Sequence, residues 1–104
     1  MTTLREKTID VSNMTENDKI IRNISGDTLS FQVDDNMTIT LKGRHIGMKS
    51  DNYYNLGVIN LTTLTKEEQI SAAGLYSTII EGVDEVKLEI TGTSGKIHWK
   101  ELGD

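Results

Sequence analysis

His45 and His98 are the two side chains of this sequence that could take and return a proton near neutral pH. They lie far apart in the chain, and a zinc site would need three or four ligands of histidine, cysteine or carboxylate type. The chain contains no cysteine to complete such a set. That absence also removes disulfides, iron–sulfur ligation and a thiol nucleophile, and it suits a protein made in a reducing cytosol. No Gly-x-Ser-x-Gly elbow presents a serine for acyl transfer, and no Gly-x-Gly-x-x-Gly or Gly-x-x-x-x-Gly-Lys run offers a phosphate cradle. Asp34-Asp35-Asn36 supplies oxygen atoms of the sort calcium prefers. It lacks the spaced ligands and closing bidentate glutamate of a calcium loop, so it reads as a turn. An enzyme would need His45, His98 and carboxylates gathered in one cleft, with the histidines within about 10 Å of each other. His98 alternates with Ile97 and Trp99 and so faces solvent. The expectation is a protein without catalytic residues, metal or cofactor.

What remains is binding chemistry. Tyr53 and Tyr54 are adjacent, and neighbouring strand residues face opposite ways, so one ring is expected in the core and the other outside. An outward tyrosine offers a large rigid surface with a hydroxyl, which is why tyrosine is enriched where proteins bind one another. Arg44 and His45 join the pair as the candidate interface.

The elements that must position these residues are strands. Leu29, Phe31 and Val33 take every second place, and after Asp34-Asp35-Asn36 the alternation resumes as Met37, Ile39 and Leu41. This predicts a hairpin. Val86, Leu88 and Ile90 alternate with Lys87, Glu89 and Thr91, and Gly92-Thr93-Ser94-Gly95 leads to Ile97 and Trp99, predicting a second. Further strands are expected over 4–11, 19–24, from Tyr54 to Leu61 and from Leu75 to Ile80. The segment from Thr65 to Ala73 favours a helix that Gly74 would end after about two turns.

Seven to eight short strands with polar turns and at most one short helix near 65–73 predict an all-β chain, a small antiparallel β-sandwich or jelly-roll-like barrel. Residues 1–18, poor in apolar side chains, are an N-terminal arm or edge strand, and 19–104 the sandwich domain. Deleting 1–18 is expected to leave a folded domain and weaken assembly. The predicted core is Leu29, Phe31, Val33, Ile39, Leu41, Leu56, Val58, Val86, Leu88, Ile90, Ile97 and Trp99.

At 104 residues the chain can bury one core without staples. Its net charge of −5, with no basic run and no aromatic ladder, repels a phosphate backbone, so no nucleic-acid partner is expected. No apolar stretch is long enough for a membrane span and the N-terminal residues lack a signal-peptide block, so no membrane association is expected. Glycosylation patterns at Asn13, Asn23, Asn36 and Asn60 act only on secreted chains. The chain has no proline to guard a sheet edge, so charged strand residues such as Lys42, Arg44, Lys87 and Glu89 must do so, or the edges serve assembly.

The order of elements over about residues 37–102 resembles small β-sandwich modules of tailed-bacteriophage virions: Ser50-Asp51-Asn52-Tyr53-Tyr54, then Leu56-Gly57-Val58, Gly74-Leu75-Tyr76, Gly82 to Ile90 and Thr93-Ser94-Gly95. Glu81-Gly82-Val83-Asp84 departs from that pattern, in which an aromatic often follows the glycine. The resemblance carries no catalytic residues. It implies a virion protein, made in the bacterial cytoplasm, that forms a homo-oligomer, a trimer, and docks on a capsid or tail protein as a decoration, head-fibre or adaptor module. The alternative is a small oligomeric protein that sequesters a small molecule or host factor in a pocket between subunits.

Overall fold

Period-two alternation settles which side of a strand is buried, and pairing then settles which strands meet. The computed structural model describes residues 1–47 and 52–104. Among these residues are ten strands: β1 (Thr2–Asp10), β2 (Ile20–Ile21), β3 (Thr28–Val33), β4 (Thr38–Arg44), β5 (Tyr54–Leu56), β6 (Val58–Asn60), β7 (Thr65–Glu67), β8 (Gly74–Ile79), β9 (Glu85–Thr91) and β10 (Lys96–Gly103). They form two antiparallel sheets, one in the order β1-β10-β3-β8-β6-β7 and one in the order β2-β9-β4-β5. Four of the pairings are nested from the ends of the chain inward: β1 with β10, β2 with β9, β3 with β8 and β4 with β5. A long hairpin folded over itself in this way is a jelly roll, to which β6 and β7 add a short extension. The strand count exceeds seven or eight for that reason: the Tyr54 to Leu61 stretch changes sheets at Gly57, and β7 lies where a helix was expected.

Both predicted hairpins are corners between the sheets. β3 and β4 belong to different sheets, as do β9 and β10, because alternation marks a buried face without naming a neighbour. The two corners run side by side, with Asp34 N donating to Lys96 O at 3.0 Å and Val11 N to Gly95 O at 2.9 Å. Gly95 has φ +106°, and a Cβ there would lie 2.6 Å from Asp35 Cβ, so conformation and close approach both call for glycine.

The segment 65–73 has no helix. Glu67 accepts from Asn60 Nδ2 at 3.0 Å, and Ile70 exchanges backbone hydrogen bonds of 2.8 and 2.9 Å with Ile39 while its side chain is fully buried. Tertiary pairing and one buried isoleucine outweigh a weak local helix preference. The core contains ten of the predicted residues, with Leu56 and Ile90 packed against it at partial burial. It also takes in Ile9, Val11, Ile21, Met37, Ile70, Tyr76 and Ile80. Among the described residues no helix is long and apolar enough to cross a membrane.

β1 is an edge strand paired with β10 from Thr2↔Gly103 to Asp10↔Lys96, with a shift of register between Thr3 and Arg5. Its Arg5 reaches Glu101, which is only 1 % exposed: Arg5 Nε donates to Oε1 at 2.6 Å, and the Ser25 and Gly26 amides donate to Oε2 at 2.8 and 2.7 Å. Burial would push the Glu101 carboxyl up, but those amides and the Arg5 guanidinium together hold it below the usual carboxylate range. A Cβ on Gly26 would meet Leu102 O at 2.5 Å, so the turn can close on the carboxylate only with glycine there. Removing residues 1–18 would therefore strip Ile9 and Val11 from the core, leave Glu101 without its cation and uncover the edge of β10. Truncation is expected to abolish cooperative thermal unfolding followed by circular dichroism, in place of the folded remnant expected from composition.

Candidate functional site

The candidate site lies at the tip of the nested hairpin, where the chain turns from β4 to β5. On the outer face of the smaller sheet Arg44 stands directly across from Glu85 of β9. Arg44 Nε donates to Glu85 Oε2 at 2.7 Å, the Tyr53 hydroxyl donates to the same oxygen at 2.7 Å, and Arg22 Nε lies 3.6 Å from Oε1. The Arg44 guanidinium carbon sits 4.7 Å from the centre of the Tyr53 ring and the Lys87 ammonium 5.7 Å from it, both close enough for cation–π attraction. Glu85 is 5 % exposed, a carboxylate covered by the groups that bind it.

Burial works to raise the Glu85 carboxyl. The Tyr53 and Arg44 hydrogen bonds, with the charges of Arg44 and Arg22, outweigh it and hold the group below the usual range. Tyr53 is pushed the other way, by burial first and then by its bond to Glu85. The pair is thus a fixed anion and a fixed hydroxyl, an arrangement that orders the chain around it and leaves neither group ready to exchange a proton near neutral pH.

Tyr54 takes the opposite side, as adjacent strand residues must. It pairs with Gly43 on the inner side of the sheet, but β5 is an edge and the ring is 71 % exposed. Neither tyrosine enters the core, contrary to expectation: Tyr53 lies on the outer face and Tyr54 is exposed on edge strand β5. Beneath Tyr54 is a cavity of about 300 Å³ floored by Gly43, Leu56 and Val83 and rimmed by Arg44, His45 and Asn52. Ile46 follows, largely exposed, with its amide donating to Asp84 Oδ2 at 2.8 Å.

The structure thus brings Arg44, His45, Tyr53 and Tyr54 to one end of the molecule. Ser50 and Asp51, part of the polar loop noted in the sequence, lie outside the described residues. His98 is on the other sheet, on its outer face, where its Nδ1 is 2.6 Å from Thr8 Oγ1 and its Nε2 3.2 Å from Glu6. Asp34-Asp35-Asn36 forms the corner, and Asn36 Oδ1 accepts from Ala73 N at 3.1 Å. Among the described residues no three histidine or carboxylate groups stand close enough to hold a metal. Sequence reasoning missed Glu85, Arg22, Leu56 and Val83 as site residues. Glu85 carries no local signal, because it shares the outward row of Lys87 and Glu89 and is covered by Arg22 just after β2, Arg44 of β4 and Tyr53 just before β5.

The sequence matches no protein-family model and no curated protein. The structure matches the crystal structure of SPBc2 prophage-derived protein YomS with a TM-score of 0.64 at 12 % identity, over 96 % of this chain and 93 % of that one. The two chains share a fold along nearly their whole length.

Tyr53→Phe removes one donor from a buried carboxylate while keeping the ring over which Arg44 lies. It is expected to lower the stability of the chain by about 1–2 kcal/mol in urea titrations, whereas Tyr54→Ala, at an exposed ring, is expected to change it by less than about 0.5 kcal/mol.

Proposed function

We propose that this chain is a non-enzymatic bacteriophage accessory protein that self-associates and docks on a capsid or tail lattice through its Tyr54 end. The observation that carries the reading is the exposed ring of Tyr54, with Ile46, beside an apolar hollow on a frame that Glu85 holds in place. A rigid aromatic anchor next to a pocket is the usual composition of an interaction hot spot, since little side-chain freedom is lost when it binds. The fold shared with a prophage-derived protein supports a phage setting. Jelly rolls are also common among capsid domains, which supports it by analogy of fold alone.

The hollow itself favours a second reading, capture of a small molecule with an apolar body and a hydrogen-bonding end, held by Leu56 and Val83 below with His45 at the rim. The two readings separate in one experiment. Purified chain is mixed with particles of its own phage prepared without it, and bound protein is measured by sedimentation. Saturable binding is expected, weakened about tenfold or more by Tyr54→Ala at unchanged thermal stability. A chain that stays in the supernatant, and that releases an ultraviolet-absorbing compound on denaturation, would replace docking by sequestration.

A further inference from the structure

The outer face of the larger sheet is the other unexplained surface. On β6 and β8, Ile59, Leu75 and Ile79 point away from the core, as the register Ile59↔Ser77 and the burial of Tyr76 and Thr78 on the opposite face require. Leu61, whose amide donates to Leu75 O at 2.9 Å, extends the strip. Ile79 is 69 % exposed and Leu75 46 %. The neighbouring column on β3 is Thr28, Ser30 and Gln32, all uncharged. The turn closing β6 onto β7 is itself built: Asn60 Oδ1 accepts the Thr62 and Thr63 amides, and Leu64 is held at φ +57° with its side chain in water. A left-handed backbone at leucine costs about 1 kcal/mol or more, and here it presents an apolar group outward.

We infer that this face pairs with the same face of a second copy, sheet on sheet, to form a two-fold dimer. The inference rests on the reading that the chain self-associates, and it names the surface. Charge selects a second copy as the occupant. The chain carries −5 overall, so copies repel in general. On this face Glu6, Asp10 and Asp34 are balanced by Lys66, Lys96 and Lys100, with the charges set around the apolar strip. The outer face of the smaller sheet carries Arg22, Lys42, Arg44 and Lys87 against Glu85 and Glu89, so two such faces would meet with like charge. Area agrees. Six strands at about 4.8 Å spacing and six residues along β3 and β8 give a face of roughly 24 by 20 Å, and two of them in contact reach roughly 1,000 Å² in total, the size at which protein contacts become specific. Sheets meeting face to face is a standard packing of β proteins, and a self-complementary patch generates a two-fold pair, not the trimer implied by the virion resemblance.

The test is native mass by light scattering on a sizing column, for the full chain across a dilution series. The wild type is expected at twice its 11.6 kDa chain mass. Ile79→Lys, at an exposed position, is expected to raise the dimer dissociation constant about tenfold or more with unchanged circular dichroism, and Lys42→Gln on the other sheet to leave it unchanged. A dimer that survives both Ile79→Lys and Leu75→Lys would overturn this assignment while leaving self-association intact. A wild type that is monomeric throughout would overturn both, and docking would still be judged separately by sedimentation with particles.

Discussion

Each of the outer strands finds its partner at the far end of the chain, and that constraint shapes everything else in the molecule. β1 must wait for β10, β2 for β9 and β3 for β8, while β4 and β5 meet across the one turn that closes the nested hairpin. Such pairings are dominated by long loops, whose closure entropy must be met before the contacts form, so a fold of this kind is slow to assemble and depends on strong contacts where its ends meet. Two buried carboxylates mark those places. Glu101 joins β10 to Arg5 of β1 and to the turn before β3, and Glu85 joins β9 to β4, Arg22 and Tyr53 at the same end of the sandwich, where Ile24 N donates to Asp84 O and Ser25 N to Glu101.

A buried carboxylate adds little net stability compared with a well-packed apolar residue, because desolvation offsets most of the attraction. What it adds is direction. Three donors converge on Glu101 and three groups on Glu85, so only one arrangement of the chain satisfies each of them. Among the described residues the buried side-chain polar atom left without a partner is Trp99 Nε1, beneath the guanidinium of Arg5. Among the described residues the other buried side-chain polar atoms have partners, which helps a sheet protein to hold a single register.

The alternation of Leu29, Phe31 and Val33 with polar residues made the buried faces legible in the sequence, and with them most of the core. Strand partners were not legible, because the same alternation serves a hairpin and a corner between sheets; the Asp34-Asp35-Asn36 and Gly92 to Gly95 segments were read as the first and are the second. The Thr65 to Ala73 stretch misled for a different reason: its Lys, Glu and Gln favour a helix locally, and only Ile70, buried against Ile39, reveals the tertiary demand that prevails. At the site, Arg44, His45, Tyr53 and Tyr54 were named together from residue type. Their organiser Glu85 was hidden, since nothing in its neighbours distinguishes it from an ordinary surface glutamate.

An ionised Glu85, buried under Tyr53 and two arginines, orders the end of the molecule that is proposed to dock. Its folded-state acidity is set below the unfolded value, so its contribution to stability is complete above the ordinary glutamate range of about 4.3 and is lost as pH falls through the lower folded value. The direct measurement is a carbon-13 NMR titration of the Glu85 carboxyl with the Tyr53 ring signals followed in the same samples. The expected result is a Glu85 midpoint below the ordinary range, with the Tyr53 ring shifting in the same step. A midpoint at or above that range, or a Tyr53 ring indifferent to it, would contradict the claim.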